Sequence, residues 1–315
     1  MTDTITHPPQ PDTSATHPIR TERYQFAPAV REQRKARIVL DGPPGSGTTY
    51  TSLALATALG SRVAVIDTQR GKSGFYADTF TFDVCPPLAY FSPETLVTAL
   101  AHCADQGYDT VVVTTLSSFW SGSGGVLEQV SLASKTGFGG AKSGWDQTRP
   151  RERRMLDALF GYPGHVIVTV RDKLDYVTEP DETGRQVRRI VGLAPIWRDG
   201  LEYDFDIVAT MDHTHTLVVV KAPAPDLSGA VRTKPGAMFA AEIRQWLDTG
   251  TPARLVDDLV DEALQPSLTF EELGDLMHRV RLRQAEGHPL LLADGTGTTL
   301  GAHILQRGND LRSDR

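Results

Sequence analysis

The sequence predicts an α/β fold: a mostly parallel central sheet flanked by helices, with antiparallel hairpins toward its C-terminal edge and a small helical extension. Three observations carry this. Four apolar runs, Ala36–Asp41, Arg62–Asp67, Thr110–Thr115 and His165–Arg171, end in turn residues, as strands buried on both faces do. Segments of helix length separate them, the pattern of parallel strands joined by crossover helices. The first run also leads straight into a glycine-rich turn and then a helical segment.

Composition bounds the rest. With 315 residues, 40% hydrophobic and 23% charged, the chain can bury one α/β core and carry a small appendage. A net charge of −7 excludes a surface that attracts nucleic acid everywhere, so any such contact must come from a local patch. Cys85 and Cys103 form no CxxC pair and no zinc-spaced cluster, so they read as buried apolar residues in a reducing compartment. No apolar stretch approaches the roughly 18 residues of a membrane span, and the N-terminus lacks a basic-then-apolar leader pattern. The expectation is a cytoplasmic protein with no membrane partner.

In order along the chain, residues 1 to about 30 are rich in Pro, Thr and His without an apolar period and read as a disordered tail. Residues 31–250 are expected to form the main domain and 251–315 a helical C-terminal extension. Helices are predicted at Thr49–Leu59 and Pro93–Ala104, the second capped by Ser92 with Pro93 in its first position. Beyond Arg171, Leu174–Glu179 and Gln186–Val191 flank a turn at 181–184, a hairpin pattern. A second hairpin pairs Phe205–Met211 with Thr216–Lys221, and a helix is expected from Gly236 to Leu247. Amphipathic helices follow near 253–263, 270–284 and 300–311.

The first turn reads Gly42-Pro43-Pro44-Gly45-Ser46-Gly47-Thr48-Thr49 and runs on to Tyr50. It follows the phosphate-loop pattern G-x-x-x-x-G-K-[ST] in its outer glycines, its last threonine and its strand–loop–helix setting. The lysine position holds Thr48. Backbone N–H groups from Gly45 to Thr49 can still cradle an anion at a helix N-terminus, and the Thr49 hydroxyl can meet Mg²⁺. Thr48 cannot bring positive charge to the β- and γ-phosphates. That charge matters more to the transition state than to the ground state.

The second strand ends in Val65-Ile66-Asp67-Thr68-Gln69-Arg70-Gly71. The third reads Tyr108-Asp109-Thr110-Val111-Val112-Val113-Thr114-Thr115-Leu116-Ser117-Ser118-Phe119-Trp120. On these segments the chain from about residue 31 to 247 resembles the RecA-like P-loop ATP-binding proteins of phages and prophages, AAA-family ATPases associated with single-strand annealing recombination. The resemblance implies ATP and Mg²⁺ as ligands. It implies single-stranded DNA and recombination proteins as partners, and assembly of several copies. The family has a glutamate where this chain has Gln69, and an aspartate where it has Thr114. An amide can orient water but cannot accept its proton, and a neutral hydroxyl is a poor ligand for a hard dication. Asp41 and Asp67, near strand ends, are the residual carboxylates. The expectation is a nucleotide-binding protein that hydrolyses poorly. Two other readings stay open: an active ATPase whose missing charge comes from a neighbouring protomer, and a DNA-binding or scaffold protein with an empty pocket.

Arg171, with Lys173, matches the family's basic strand end and is a candidate phosphate contact, since strand C-termini line the ligand crevice of open α/β sheets. Residues Lys135–Lys142, with three glycines, read as a flexible basic loop leading into Trp145, Arg149 and Arg151, chemistry suited to single-stranded DNA. Arg279, Arg281 and Arg283 are a weaker version of that pattern. His213 and His215 have no third ligand nearby in sequence and read as hairpin-turn residues, not a metal site.

Overall fold

The computed structural model describes residues 29, 31–136, 140–180, 185–251 and 256–313. The predicted tail, apart from Ala29, and the predicted turn at 181–184 lie outside the described residues.

The chain builds β1 (Arg37–Gly42), α1 (Thr48–Leu59), β2 (Val63–Asp67) and, after a 3-10 turn at Lys72–Tyr76, β3 (Asp83–Val84). It continues through α2 (Pro93–Asp105), β4 (Thr110–Thr114), α3 (Ser117–Ser121), α4 (Val126–Thr136), α5 (Gly140–Phe160), β5 (His165–Pro180) and β6 (Gln186–Pro195). Then come β7 (Ile207–Met211), β8 (Thr216–Lys221), β9 (Val231–Thr233) and α6 (Ala237–Leu247). The C-terminal part comprises α7 (Asp257–Leu264), α8 (Phe270–Leu282), β10 (Pro289–Leu291), β11 (Gly297–Thr299) and α9 (Leu300–Ser313).

The main sheet runs in the order β3-β2-β4-β5-β1-β7-β8-β9. It is parallel from β3 to β7 and antiparallel from β7 to β9. Alternate side chains of its strands feed two apolar layers. On one face Ile38, Leu40, Val65 and Ile167 pack with Leu53 and Leu59 of α1 and Ile243 of α6. On the other, Val39, Val113 and Val168 pack with Leu96 of α2 and Met155 of α5. Burial on both faces explains why these strands read as unbroken apolar runs. The register sets Gly42 beside Arg171 and Thr114 between Asp67 and Thr169. The ends of β1, β2, β4 and the buried half of β5 therefore meet at one edge, where an open parallel sheet presents its crevice.

β5 runs beyond Arg171 and pairs antiparallel with β6 as an exposed ribbon. Ser92 caps α2 by accepting from the Thr95 N–H, with Pro93 in the first turn. Leu276, Val280, Leu300 and Ile304 of the C-terminal helices form an apolar cluster of their own, and the β10–β11 hairpin contacts α2.

The stretch expected as a flexible basic loop, 135–142, is helical at its two ends, with α4 running to Thr136 and α5 starting at Gly140; its centre, 137–139, lies outside the described residues. Along α5 the buried positions Thr148, Glu152, Met155 and Leu159 repeat every three to four residues, but the polar members hide the helical period. Gly144 is there for close packing: a Cβ on it would overlap Ser134 and the Val130 carbonyl of α4.

Candidate phosphate-binding site

The loop between β1 and α1 is shaped by its glycines. Gly45 and Gly47 have φ of 85° and 93°, the left-handed region where glycine carries no Cβ penalty. Gly42 sits so close that a Cβ on it would lie 2.6 Å from Ser46 Oγ and 2.7 Å from the Met211 carbonyl. Ser46 is buried and its N–H donates to the Pro43 carbonyl at 3.1 Å, tightening the turn. Gly47 caps α1 without a side-chain hydrogen bond, and the first turn of α1 holds no acid. The N–H groups of that turn have no intrahelical acceptor, so they and the helix dipole are left for an external anion.

A cavity of about 1320 Å³ opens over this loop. Of the residues expected to touch nucleotide, Gly42, Pro43, Pro44, Gly45, Gly47, Thr48, Thr49, Tyr50 and Arg171 line it. Ser46 is the exception, turned into the protein with its Oγ buried and unpartnered. Gln69 also lines the cavity, whereas Thr114 does not: it is fully buried, its Oγ1 without a partner, and Thr115, itself buried, is the residue that lines the cavity at the strand end. Thr68 braces this edge, its hydroxyl accepting from the Thr115 N–H at 2.8 Å and lying 2.8 Å from Ser118 Oγ.

Asp67 and Asp41, the residual carboxylates at the strand ends, are occupied or turned aside. Asp67 accepts from the N–H and hydroxyl of Ser73, at 2.9 and 2.6 Å, and from the Gln69 N–H, so it shapes the loop that presents Gln69. Asp41 lines a separate small cavity together with Asp172. Burial, and then the nearby Asp41 charge, push Asp172 up to about 6. Asp41 is raised mainly by burial. Asp172 is the one acidic residue lining the main cavity among the described residues.

Sequence reasoning missed the side chains brought in from elsewhere. Lys72, Tyr76 and Phe80 form one wall, where the Tyr50 ring meets Tyr76 and Phe80 edge-on at centroid distances of 5.8 and 5.0 Å. His215 and Lys234 form another. No local signal marks them, because sheet order carries β7–β9 alongside β1. His215 is a hairpin-turn residue, as expected, but its Nδ1 lies 3.0 Å from the Ser46 carbonyl. Among the described residues no group of three His, Cys, Asp or Glu is placed to hold a metal.

The proposed DNA-contacting residues lie elsewhere, on α5. Arg151 pairs with Glu94 at 3.5 Å and donates to Gln129. Lys142 is exposed. Arg149 lines a second cavity between α5 and the C-terminal elements.

No helix among the described residues is long and apolar enough to cross a membrane. A family model described as an AAA domain matches residues 34–244, about two thirds of the chain. No curated protein matches.

Proposed function

Since the chain belongs to the AAA-domain family of P-loop ATPases, we propose that it binds ATP in the cavity over the Gly42–Thr49 loop and hydrolyses it poorly. The observation that carries this reading is the contrast within one site. The backbone cradle is complete, with left-handed Gly45 and Gly47 and an uncapped helix start, while the residues meant to act on the γ-phosphate are neutral.

The residues fit a nucleotide. The amides from Gly45 to Thr49 would hold the phosphates, Arg171 would add charge from the end of β5's buried half, and the aromatic wall of Tyr50, Tyr76 and Phe80 offers a flat apolar surface to a base. They fit Mg²⁺ less well. Thr49 supplies a hydroxyl, so the ion would be held chiefly by phosphate oxygens and water. When bound, that ion would neutralise charge between the β- and γ-phosphates. Gln69 would orient a water without taking its proton.

In this reading residues 31–250 form the nucleotide-binding domain and 251–315 an appendage. The protein serves phage-type DNA recombination as a nucleotide-responsive scaffold, working with single-stranded DNA, recombination proteins and further copies of itself. Arg149, facing the second cavity, is a better candidate for DNA than Arg151, whose charge is already paired.

The test is a restoration. Thr48→Lys, Gln69→Glu and Thr114→Asp together should tighten ATP binding in calorimetry and produce steady phosphate release. Unchanged affinity and unchanged release in a folded variant would refute the assignment of these three positions.

A further inference from the structure

Resting on the nucleotide reading above, we infer that Lys234, from the same chain, supplies the cation that the phosphate loop lacks at Thr48, and that His215 positions it. Among the described residues the side chains lining the cavity include three cations, Lys72, Arg171 and Lys234, against the single acid Asp172. The site is therefore suited to a polyphosphate despite its neutral loop.

The three cations occupy different places. Lys72 opens the 3-10 turn that ends in Tyr76, on the aromatic wall. Arg171 stands in register with Gly42, at the foot of the loop. Lys234 lines the cavity and is tied through His215 to the Ser46–Gly47 side of the loop. Its backbone N–H donates to the His215 carbonyl at 2.8 Å, and the His215 ring lies 3.0 Å from the Ser46 carbonyl. A Cβ on Gly47 would meet His215 Nδ1 at 3.0 Å, so the ring covers the residue that precedes Thr48. Two hydrogen bonds thus join the backbone of Lys234 to the loop.

The segment is built to hold this arrangement. His215 and Lys234 both adopt left-handed backbone, with φ of 59° and 49°, a conformation that non-glycine residues keep only where their surroundings enforce it. The β8–β9 ladder enforces it: Thr216 pairs with Thr233 at the end where His215 and Lys234 leave the strands. Pro235 is buried directly behind Lys234, fixing where the chain turns toward α6. Lys221, on the same sheet, spends its ammonium on the Glu202, Tyr203 and Phe205 carbonyls. The Lys234 side chain is exposed and has no acceptor among the described residues, so its four-carbon stem is available to reach a phosphate.

The experiment is calorimetric titration of ATP, ADP and AMP with Mg²⁺ into the full chain and into Lys234→Ala, Lys234→Arg, His215→Ala, Thr48→Lys and the double variants. Lys234→Ala should weaken ATP and ADP by about 10- to 100-fold, the range of one charge-assisted hydrogen bond, and leave AMP unchanged. Lys234→Arg should retain most of the affinity. In the Thr48→Lys background the Lys234→Ala loss should shrink to a few-fold. His215→Ala should weaken ATP and ADP but not AMP, and should add nothing on top of Lys234→Ala, which a general loss of stability would not reproduce. If the wild-type chain binds ATP and Lys234→Ala binds it equally well, the inference is wrong while the nucleotide reading stands. If the wild-type chain binds none of the three, the nucleotide reading falls and the role of Lys234 falls with it.

Discussion

Asp172 shows how single residues at this site can be tested without any ligand. Its carboxyl is pushed up to about 6 by burial and by the neighbouring Asp41, while in the unfolded chain it would titrate near 4. Between these values the folded state holds a proton that the unfolded state has released, so its contribution to stability falls as pH rises from about 4 to about 6. Asp172→Asn should therefore raise the melting temperature at pH 7 and leave it nearly unchanged below pH 4. The wild-type-minus-variant difference is the quantity to plot. It cancels other titrating groups such as His165, which burial lowers to about 4 and whose effect runs the opposite way. A difference independent of pH would contradict the assigned cause. The residues around the loop also show what a sequence can and cannot disclose. Gly45 and Gly47 are legible because the turn itself demands left-handed backbone there, and Gly42 because Ser46, four positions on, leaves no room for a Cβ. His215 and Lys234 are not, because what makes them part of the site is a strand order that brings residues about 170 positions away to Ser46.

Elements fared according to how purely they express their period. The parallel strands were legible because both faces are buried, and α2 because Ser92 and Pro93 mark its start. The start of α5 is hard to read because Gly140 and Gly144 sit in its first turns and Thr148 and Glu152 occupy its buried stripe. The same helix offers a sharp test. In a helix interior Gly→Ala ordinarily gains up to about 1 kcal/mol. At Gly144 the new methyl would press on the Val130 carbonyl and Ser134, and overpacking of this kind typically costs about 1–3 kcal/mol. Gly144→Ala should therefore lower stability in denaturant unfolding despite its better propensity. A stabilised variant would mean that α4 and α5 pack more loosely than described.

At the scale of the whole molecule, the family match ends at residue 244, inside α6, so the α7–α9 cluster and the β10–β11 hairpin are additions to the matched domain. Their hairpin lies on α2, on the sheet face opposite α1 and α6, so they leave the crevice over the phosphate loop open. In the proposed reading, what the molecule does follows from how charge is distributed at that crevice: amides and cations to hold a polyphosphate, Asp172 as the one lining carboxylate among the described residues, and the neutral Gln69 where the family has a glutamate to take a proton from water. The phosphate loop at the end of the first strand was foreseeable, but the balance of holding and cleaving depends on which side chains the strand order brings to the cavity. The most direct test is a single-turnover experiment in which the wild-type chain, in excess over ATP and Mg²⁺, is followed for bound nucleotide and for ADP formed. Bound nucleotide that persists as ATP long after binding is complete is the predicted result. Conversion to ADP at the several-per-second rates common among enzymes, with contaminating ATPases excluded, would contradict it.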